Sequence, residues 1–267
     1  MERSKLKGMV FAALFAALTG AVAWFKIPLP FTPVPITLQT LMVLLSGAML
    51  GPIYGALSMV IYLLLGAIGL PVFAGGSSGV GALLGPTGGY LLSYPVAAFV
   101  IGLIAKKDKG ERLSKYIPLT MKSFTKYFSF IAIMSLTAII AIDVIFKLGI
   151  MKLWDSATKS YVPMVNLISQ QQRIMLVIFS LAVFIGLILL VFYLKKSKSL
   201  PLDTALAMFA GTLIIYVMGS IQGKFVTGLP WSAVFVGWVL PFIIGDTLKL
   251  LVAAWIAKNM DIGKYMK

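Results

Sequence analysis

The chain has 267 residues, of which 60% are hydrophobic and only 12% charged, and its mean hydropathy is +1.00. A soluble domain of this length cannot bury so much apolar surface, so the composition indicates a polytopic α-helical membrane protein. The net charge of +15 falls in short basic clusters between apolar segments, which is typical of cytoplasmic loops and not of a nucleic-acid groove. The absence of His and Cys closes off thiol chemistry, disulfides, His-held haem and the common zinc sites.

The first predicted span, at about residues 8–25, carries small residues at four-residue spacing. One row consists of Ala13, Ala17 and Ala21. A second row beside it consists of Ala12, Ala16 and Gly20. Rows of small residues form a smooth groove where another helix can approach closely. From the residues alone, docking of a partner helix and packing inside the protein's own bundle are equally good interpretations.

A Pro-rich segment follows at residues 26–35, and its four prolines at near-alternating positions predict an extended connector and not a helix. Two further spans are predicted at about 36–50 and 53–70, joined by a tight turn at Gly51-Pro52. Gln39 is polar near the start of the first of these spans. We expect it to line a cavity, and a position at the membrane interface is the alternative.

Residues 69–90, called the Gly-rich loop below, combine many glycines with apolar side chains and carry no charge. An exposed linker would be polar, so we expect this loop to fold back onto the protein. Its glycines permit tight turns and a close approach of the backbone to a ligand. The pattern matches neither a P-loop nor a dinucleotide fingerprint, and a plain packing loop is the alternative.

Four more spans are predicted before the last one, at about 88–105, 124–150, 173–194 and 203–221. The basic loop after the first of them is expected to be cytoplasmic, and residues 151–172 form a polar, mixed loop. Asp143 and Lys147 lie four residues apart within the fifth span. We interpret them as a structural pair that neutralises itself on the helix surface.

The last span, at about 241–258, is almost wholly apolar yet carries Asp246 and Lys249, which share a helix face because they lie three residues apart. Counted back from Lys258 at about 1.5 Å per residue, they lie about 18 Å and 13 Å into a hydrocarbon core about 30 Å thick. A charge there costs at least about 2.5 kcal/mol and faces a protein interior or a wet cavity. The pattern predicts a functional site, and a structural ion pair between two helices is the alternative.

Two residues that disturb helices, Pro241 and Gly245, lie just upstream of this acid and base. We expect both to interrupt the helix. A broken helix exposes backbone polar groups, which are tolerated only beside protein or a cavity, so the interruption favours the functional site.

Eight spans place both termini on the same side of the membrane. With that side inside, sixteen of the 23 Lys and Arg residues face the cytoplasm and six face outward. We therefore predict a multi-pass protein of the plasma membrane with cytoplasmic termini. The Pro-rich segment, the Gly-rich loop and the start of the last helix then lie on the outer side.

The acid and the amine suit a small molecule that has both hydrogen-bond donors and acceptors, because Asp246 accepts and Lys249 donates. Phe73, Tyr90 and Trp231 are candidates to clamp an apolar ring. No nucleophile–base set and no nucleotide-binding motif is found, so we predict that the chain is not an enzyme, with no catalytic residue, no metal site and no cofactor. Transport driven by ATP would need an ATPase on another chain.

Several of these segments resemble the BioY biotin-transporter family, whose members are the substrate-capture (S) components of energy-coupling-factor (ECF) transporters. The motifs are Pro35-Ile-Thr-Leu-Gln-Thr40, Gly69-Leu-Pro-Val-Phe-Ala-Gly-Gly76, Leu84-Gly-Pro-Thr-Gly-Gly-Tyr90, and Leu240-Pro-Phe through Gly245-Asp-Thr-Leu-Lys249. The resemblance covers about residues 8–105 and 203–258. It implies an all-α membrane bundle with a six-helix S-component core and biotin near its outer face.

The resemblance also implies roles for individual residues. Asp246 would accept from the ureido N–H groups of biotin, and Lys249 would meet a ligand oxygen. The family's loop between its third and fourth helices lies over the ligand, here at about Phe73 to Tyr90, so the implied binding residues also include Phe73, Gly76, Ser77, Ser78 and Tyr90. Gln39, which we expect to line a cavity, completes the predicted set. The partner of the biotin carboxylate stays open, because no other buried cation is evident near the loop.

The resemblance further implies that the ligand is biotin and that the partners are a transmembrane coupling subunit and two ATP-binding subunits. In this family type the alanine rows of the first helix contact the coupling subunit, which would assign that role to Ala13, Ala17 and Ala21. The chain would divide into 1–112, with four core helices, an insert at 113–200 with two transmembrane helices, and 201–267, with the last two core helices. The insert departs from the six-helix pattern, and its role stays open.

Two other functions remain as alternatives. The chain could be a stand-alone carrier or channel for another small solute, energised by ion coupling. An intramembrane enzyme acting on lipid is the weaker alternative, because no catalytic set is present.

Overall fold

Five helical stretches in the described part of the chain are long and apolar enough to cross a membrane when each is counted whole, and one of them, Gln39–Ala67, is bent at Gly51. The structure is a computed structural model that describes residues 3–29, 32–107, 152–155, 160–163, 202–260 and 262. The predicted polytopic helical fold is confirmed, although it is mainly helical and not strictly all-α. The predicted count of eight spans stays a prediction, because the spans at 124–150 and 173–194 lie outside the described residues, as do Asp143 and Lys147.

The described elements follow one another in a simple order. The first half consists of α1 (Arg3–Ala23), β1 (Lys26–Leu29), β2 (Thr32–Thr37), α2 (Gln39–Ala67), a 3-10 turn (Ala74–Gly76), α3 (Val80–Leu84) and α4 (Gly88–Lys107). The second half consists of β3 (Lys152–Asp155), β4 (Ser160–Pro163), α5 (Leu202–Thr227), α6 (Trp231–Trp238) and α7 (Leu240–Asn259). Helix α4 packs between α2 and α5, while α1 and α7 pack against α2.

The Pro-rich segment is extended, as predicted, but it folds back on itself as an antiparallel ribbon. Lys26 pairs with Thr37, Ile27 with Ile36, and Leu29 with Thr32. The register shifts between Ile27 and Leu29, around Pro28, because proline has no N–H to donate to the ladder. Strands β3 and β4 form a second antiparallel ribbon, within the loop that was predicted to be polar and mixed.

Helix α2 is a hairpin of two arms, residues 39–50 and 52–67. Gly51 has φ +79°, a conformation that glycine adopts readily, and Pro52 follows it. The side chains of Gln39 and Tyr62 hydrogen-bond to each other, whereas a straight helix would separate them by about 35 Å. The chain therefore reverses at Gly51-Pro52, which confirms the predicted turn.

The arms of this hairpin pack closely because small residues face each other. A β-carbon added at Gly55 would lie 2.9 Å from the Cα of Gly47. The first arm has about three turns and is about 18 Å long, which is shorter than a hydrocarbon core of about 30 Å. Gln39, the first residue of this arm, is 2% exposed, so the helix begins in the interior of the bundle.

The interruption near the last span lies at Val239, between α6 and α7, where φ and ψ are −119° and −57°. Pro241 stands in the first turn of α7, where its missing N–H costs no hydrogen bond. Gly245 lies inside the continuous helix, and a β-carbon there would meet nothing within 4 Å. The expectation that Gly245 interrupts the helix is therefore wrong, because nothing at that position opposes a helical backbone.

Candidate functional site

A chamber lies where the β1–β2 ribbon, the Gly-rich loop and helices α2, α4, α5 and α7 meet. The space between these elements, counted together with the solvent-open region in front of it, is about 660 Å³. Sites for small molecules combine apolar walls with a few convergent polar groups. Both kinds of side chain line this chamber, so it is the candidate site.

Asp246 and Lys249 both line the chamber and are bonded to each other. The Nζ of Lys249 donates to the Oδ1 of Asp246 at 2.7 Å and to the hydroxyl of Thr40 at 3.1 Å. The hydroxyl of Thr40 donates to the same Oδ1 at 3.2 Å. The side chains of Asp246 and Lys249 are only 8% and 12% exposed, so the pair lies in the interior of the bundle and points at neither lipid nor bulk water.

The second carboxylate oxygen of Asp246 has its own donor. The hydroxyl of Tyr216, on α5, donates to Oδ2 at 2.7 Å. A carboxylate offers about four acceptor positions and an ammonium offers three donors. Within the described residues, Asp246 accepts three hydrogen bonds and Lys249 donates two, so one acceptor and one donor remain for a ligand in the chamber.

Gln39 forms a second polar group at the chamber wall and is 2% exposed. Its Nε2 donates to the hydroxyl of Tyr62, and its Oε1 accepts from the hydroxyl of Thr37 at 3.0 Å. These bonds hold the amide in one orientation, with its oxygen toward the ribbon and its nitrogen toward the second arm of α2.

Aromatic rings form much of the apolar wall. Phe73, Tyr90, Tyr94 and Phe242 all line the chamber. Phe73 is 1% exposed and meets Tyr62 edge to face, with ring centroids 5.5 Å apart. This wall suits an apolar ring system, because aromatic faces give a large contact area with little loss of side-chain freedom.

Two side chains tie the elements around the chamber together. The hydroxyl of Tyr90 donates to the backbone oxygen of Trp238 at 2.6 Å, which satisfies a carbonyl at the break between α6 and α7. The Nε2 of Gln222, on α5, donates at 2.8 Å to the backbone oxygens of both Leu83 and Gly85. The Gly-rich loop is thereby held against α5.

The structure brings together most of the residues that the sequence singled out. Those that line the chamber are Asp246, Lys249, Gln39, Phe73, Ser77 and Tyr90. Gly76, Ser78 and Trp231 do not line it. Ser78 and Trp231 are exposed, and a β-carbon added at Gly76 would lie 3.4 Å from the indole of Trp24.

Sequence reasoning missed the hydroxyls of Thr40 and Tyr216. Thr40 belongs to the same motif as Gln39 and follows it directly at the start of α2. This position next to a predicted cavity residue could have marked Thr40 as a candidate. Tyr216 is the one tyrosine of α5, a helix that is otherwise largely apolar. A tyrosine inside such a helix needs a partner for its hydroxyl, but no sequence pattern shows that the partner is Asp246.

The structure separates the two small-residue rows of α1. Ala12, Ala16 and Gly20 are buried against the rest of the bundle. Ala13, Ala17 and Ala21 are exposed, together with Leu14 and Leu18 on the neighbouring positions. The buried row therefore serves internal packing, and the exposed row leaves a smooth, apolar face on the outside of the bundle.

The fold and the chamber define a class, that of the polytopic membrane proteins which enclose a small-molecule chamber between helices. The crystal structure of the S-component for biotin from an ECF-type ABC transporter has the same fold, with a TM-score of 0.59 and 21% sequence identity. The match covers 97% of this chain and 93% of that one.

The family model described as the BioY family matches residues 1–178 and 176–263, and the chain belongs to the BioY family. The probable biotin transporter BioY of Pyrococcus horikoshii is 50% identical over 99 residues, which are 37% of this chain and 60% of that protein. The biotin transporter BioY of Thermotoga maritima is 49% identical over 105 residues, 39% of this chain and 61% of that protein. The match thus spans about three fifths of the length of these curated relatives.

Proposed function

We propose that this protein binds biotin in the chamber beneath the Gly-rich loop and serves as the substrate-capture component of an ECF transporter for its uptake. The observation that carries the proposal is the buried Asp246–Lys249 pair, which lines the chamber with one acceptor and one donor unused. The similar proteins are named biotin transporters, and the neighbouring structure is an S-component for biotin.

The chemistry of the pair fits the ureido ring of biotin. That ring offers two N–H donors and one carbonyl acceptor. One N–H donates to the acceptor position left on Asp246, and the carbonyl accepts from the proton left on Lys249. The aromatic wall of Phe73 and Tyr94 receives the apolar part of the ring system.

The chamber would open to the outer side of the membrane. The basic residues of the chain favour cytoplasmic termini, which puts the ribbon and the Gly-rich loop outside. Biotin would then enter from outside, beneath that loop, and reach the pair in the middle of the bundle.

Energy for transport would come from partner subunits, because the chain carries no nucleotide-binding motif. The expected partners are a transmembrane coupling subunit and two ATP-binding subunits. The exposed row of Ala13, Ala17 and Ala21 is the proposed contact for the coupling subunit, since small residues let a second helix come close.

Ala17→Leu should reduce biotin uptake by at least about tenfold in cells that contain the ECF module, because the added side chain holds the partner helix away. Binding of biotin to the purified variant should stay unchanged, since Ala17 faces away from the bundle. Val96→Phe is the matched control: it adds bulk at a 45%-exposed position of α4 and should leave uptake intact. Normal uptake by Ala17→Leu would show that the alanine row is not the docking face.

Equilibrium binding of labelled biotin to the purified full chain tests the proposed function. We expect saturable binding with a Kd well below about 1 µM, a free energy stronger than about −8 kcal/mol. A Kd in the micromolar range or weaker would contradict the proposal. Uptake by vesicles that hold this chain alone, abolished by an ionophore, would point instead to a stand-alone carrier.

A further inference from the structure

The chamber contains a negative and a positive side chain, and the positive one is already paired with the negative one. Asp246 and Lys249 are the charged residues that line it within the described part of the chain, and they neutralise each other. A carboxylate placed beside them would face Asp246 as well as Lys249, so the attraction of one would offset the repulsion of the other. The acidic end of a substrate must therefore find its counter-ion elsewhere.

Lys26 does not line the chamber itself but lies beside it, in the ribbon and against the Gly-rich loop. It pairs directly with Thr37 across the ribbon, so the two side chains project from the same face. Thr37 lines the chamber. The exposed side chain of Lys26 therefore emerges on the chamber face of the ribbon, one strand away from the wall.

The Gly-rich loop leaves room for this side chain at one residue. A β-carbon added at Gly75 would collide with the Cδ, Cε and Nζ of Lys26, and Gly75 has φ +67°. Its neighbour Ala74 lines the chamber, as does Ser77. The ammonium of Lys26 thus lies over Gly75, between two residues that line the chamber, Ala74 and Ser77.

Apart from Lys249, the other lysines whose side chains the structure describes are in less suitable places. Lys5 and Lys7 begin α1 and Lys258 ends α7, far along those helices from the ribbon and from α6. Neither Lys224 nor Lys26 lines the chamber, but Lys224 lies in the last turn of α5, whereas Lys26 lies against Gly75, beside the lining residue Ala74. Lys26 takes part in no salt bridge among the described residues, so its charge is available to a ligand.

We propose that Lys26 is the counter-ion for the carboxylate at the end of the substrate's tail and thereby sets the preference for an acidic ligand. The inference rests on the proposed function, in which biotin enters beneath the Gly-rich loop and its ureido ring lies at Asp246, and it adds that the tail points back toward the ribbon. Lys26 is exposed, so its contribution is modest, because solvent and salt screen an ion pair at a surface.

The test compares biotin with biotinamide, whose tail ends in a neutral amide, on the purified full chain. The wild-type protein should prefer biotin by about three- to tenfold, and added salt should narrow that preference. Lys26→Met should weaken biotin binding by about the same factor and leave biotinamide binding within about twofold. Lys26→Arg should keep the preference, and Lys224→Met, the matched control, should change neither ligand.

The outcomes separate this inference from the proposed function. If the wild-type protein binds neither ligand, the proposed function itself fails. If it binds both and Lys26→Met weakens them equally, Lys26 supports the loop and not the carboxylate, and the inference is overturned. The inference is also overturned if Lys26→Met changes the binding of neither biotin nor biotinamide.

Discussion

Asp246→Asn should weaken biotin binding at least about a hundredfold, which corresponds to about 3 kcal/mol. Asparagine keeps the shape of the side chain but loses the charge that accepts from Lys249, Thr40 and Tyr216. It also leaves the ammonium of Lys249 buried without its counter-ion, and removal of one member of a buried pair usually costs about 3–5 kcal/mol. Equilibrium binding and thermal unfolding of the purified variant measure both effects.

A double variant separates the loss of binding from the loss of stability. Asp246→Asn combined with Lys249→Met removes both charges, and replacing a whole buried pair by neutral groups is often harmless to folding. We expect the double variant to recover much of the thermal stability and to remain unable to bind biotin. If Asp246→Asn alone binds biotin within about threefold of the wild-type protein, the site lies elsewhere.

Gly66→Ala should disrupt the wall of the chamber, because a β-carbon at this position would collide with the ring of Phe73, which lines it. Phe73 lines the chamber and meets Tyr62 edge to face, so its ring can yield only by moving into the chamber or against its neighbours, and overpacking of this kind costs about 1–3 kcal/mol. The backbone oxygen of Gly66 also accepts from the N–H of Gly79 at 2.7 Å. Gly66 therefore contacts the segment 73–79 of the Gly-rich loop at both of its ends. We expect a lower unfolding temperature and at least about tenfold weaker biotin binding.

Two variants serve as controls for this prediction. Gly245→Ala lies next to Asp246 but has open space around its β-carbon, so it should keep full binding and gain up to about 1 kcal/mol of stability from helix propensity. Gly66→Ala combined with Phe73→Leu shortens the clashing side chain and should recover stability without restoring binding. A Gly66→Ala protein as stable and as competent as the wild type would contradict the packing described here.

The sequence was sufficient to locate the chamber's acid and base, because a charge inside an apolar helix has few favourable positions. It also located the turn at Gly51-Pro52, since glycine and proline act on the local backbone. The contact between Tyr216 and Asp246 could not be predicted, because it depends on how α5 and α7 are rotated about their axes. That rotation is determined by packing along the whole interface and not by any short motif.

The rows of α1 show the same limit. Their spacing predicts two smooth faces, but which face is buried depends on where α2 lies, and the residues of α1 do not contain that information. The position of the helix break is a second case. Proline and glycine marked the region correctly, yet Gly245 remains helical because nothing around it opposes a continuous helix.

The evidence that the ligand is biotin comes from the family and not from the geometry of the site. One acceptor, one donor and an aromatic wall suit many small ring compounds that contain an amide or a urea. Membership of the BioY family and the names of the relatives direct the proposal to biotin within that class. The chamber supplies the physical reason why a ureido ring would be held there.

The most direct measurement is an experimental structure of the full chain with biotin bound. We expect a ureido N–H to lie about 3 Å from the carboxylate of Asp246, with the ureido oxygen near the Nζ of Lys249 and the tail pointing toward the ribbon. Biotin bound outside this chamber, or an Asp246–Lys249 pair that makes no contact with it, would contradict the central claim.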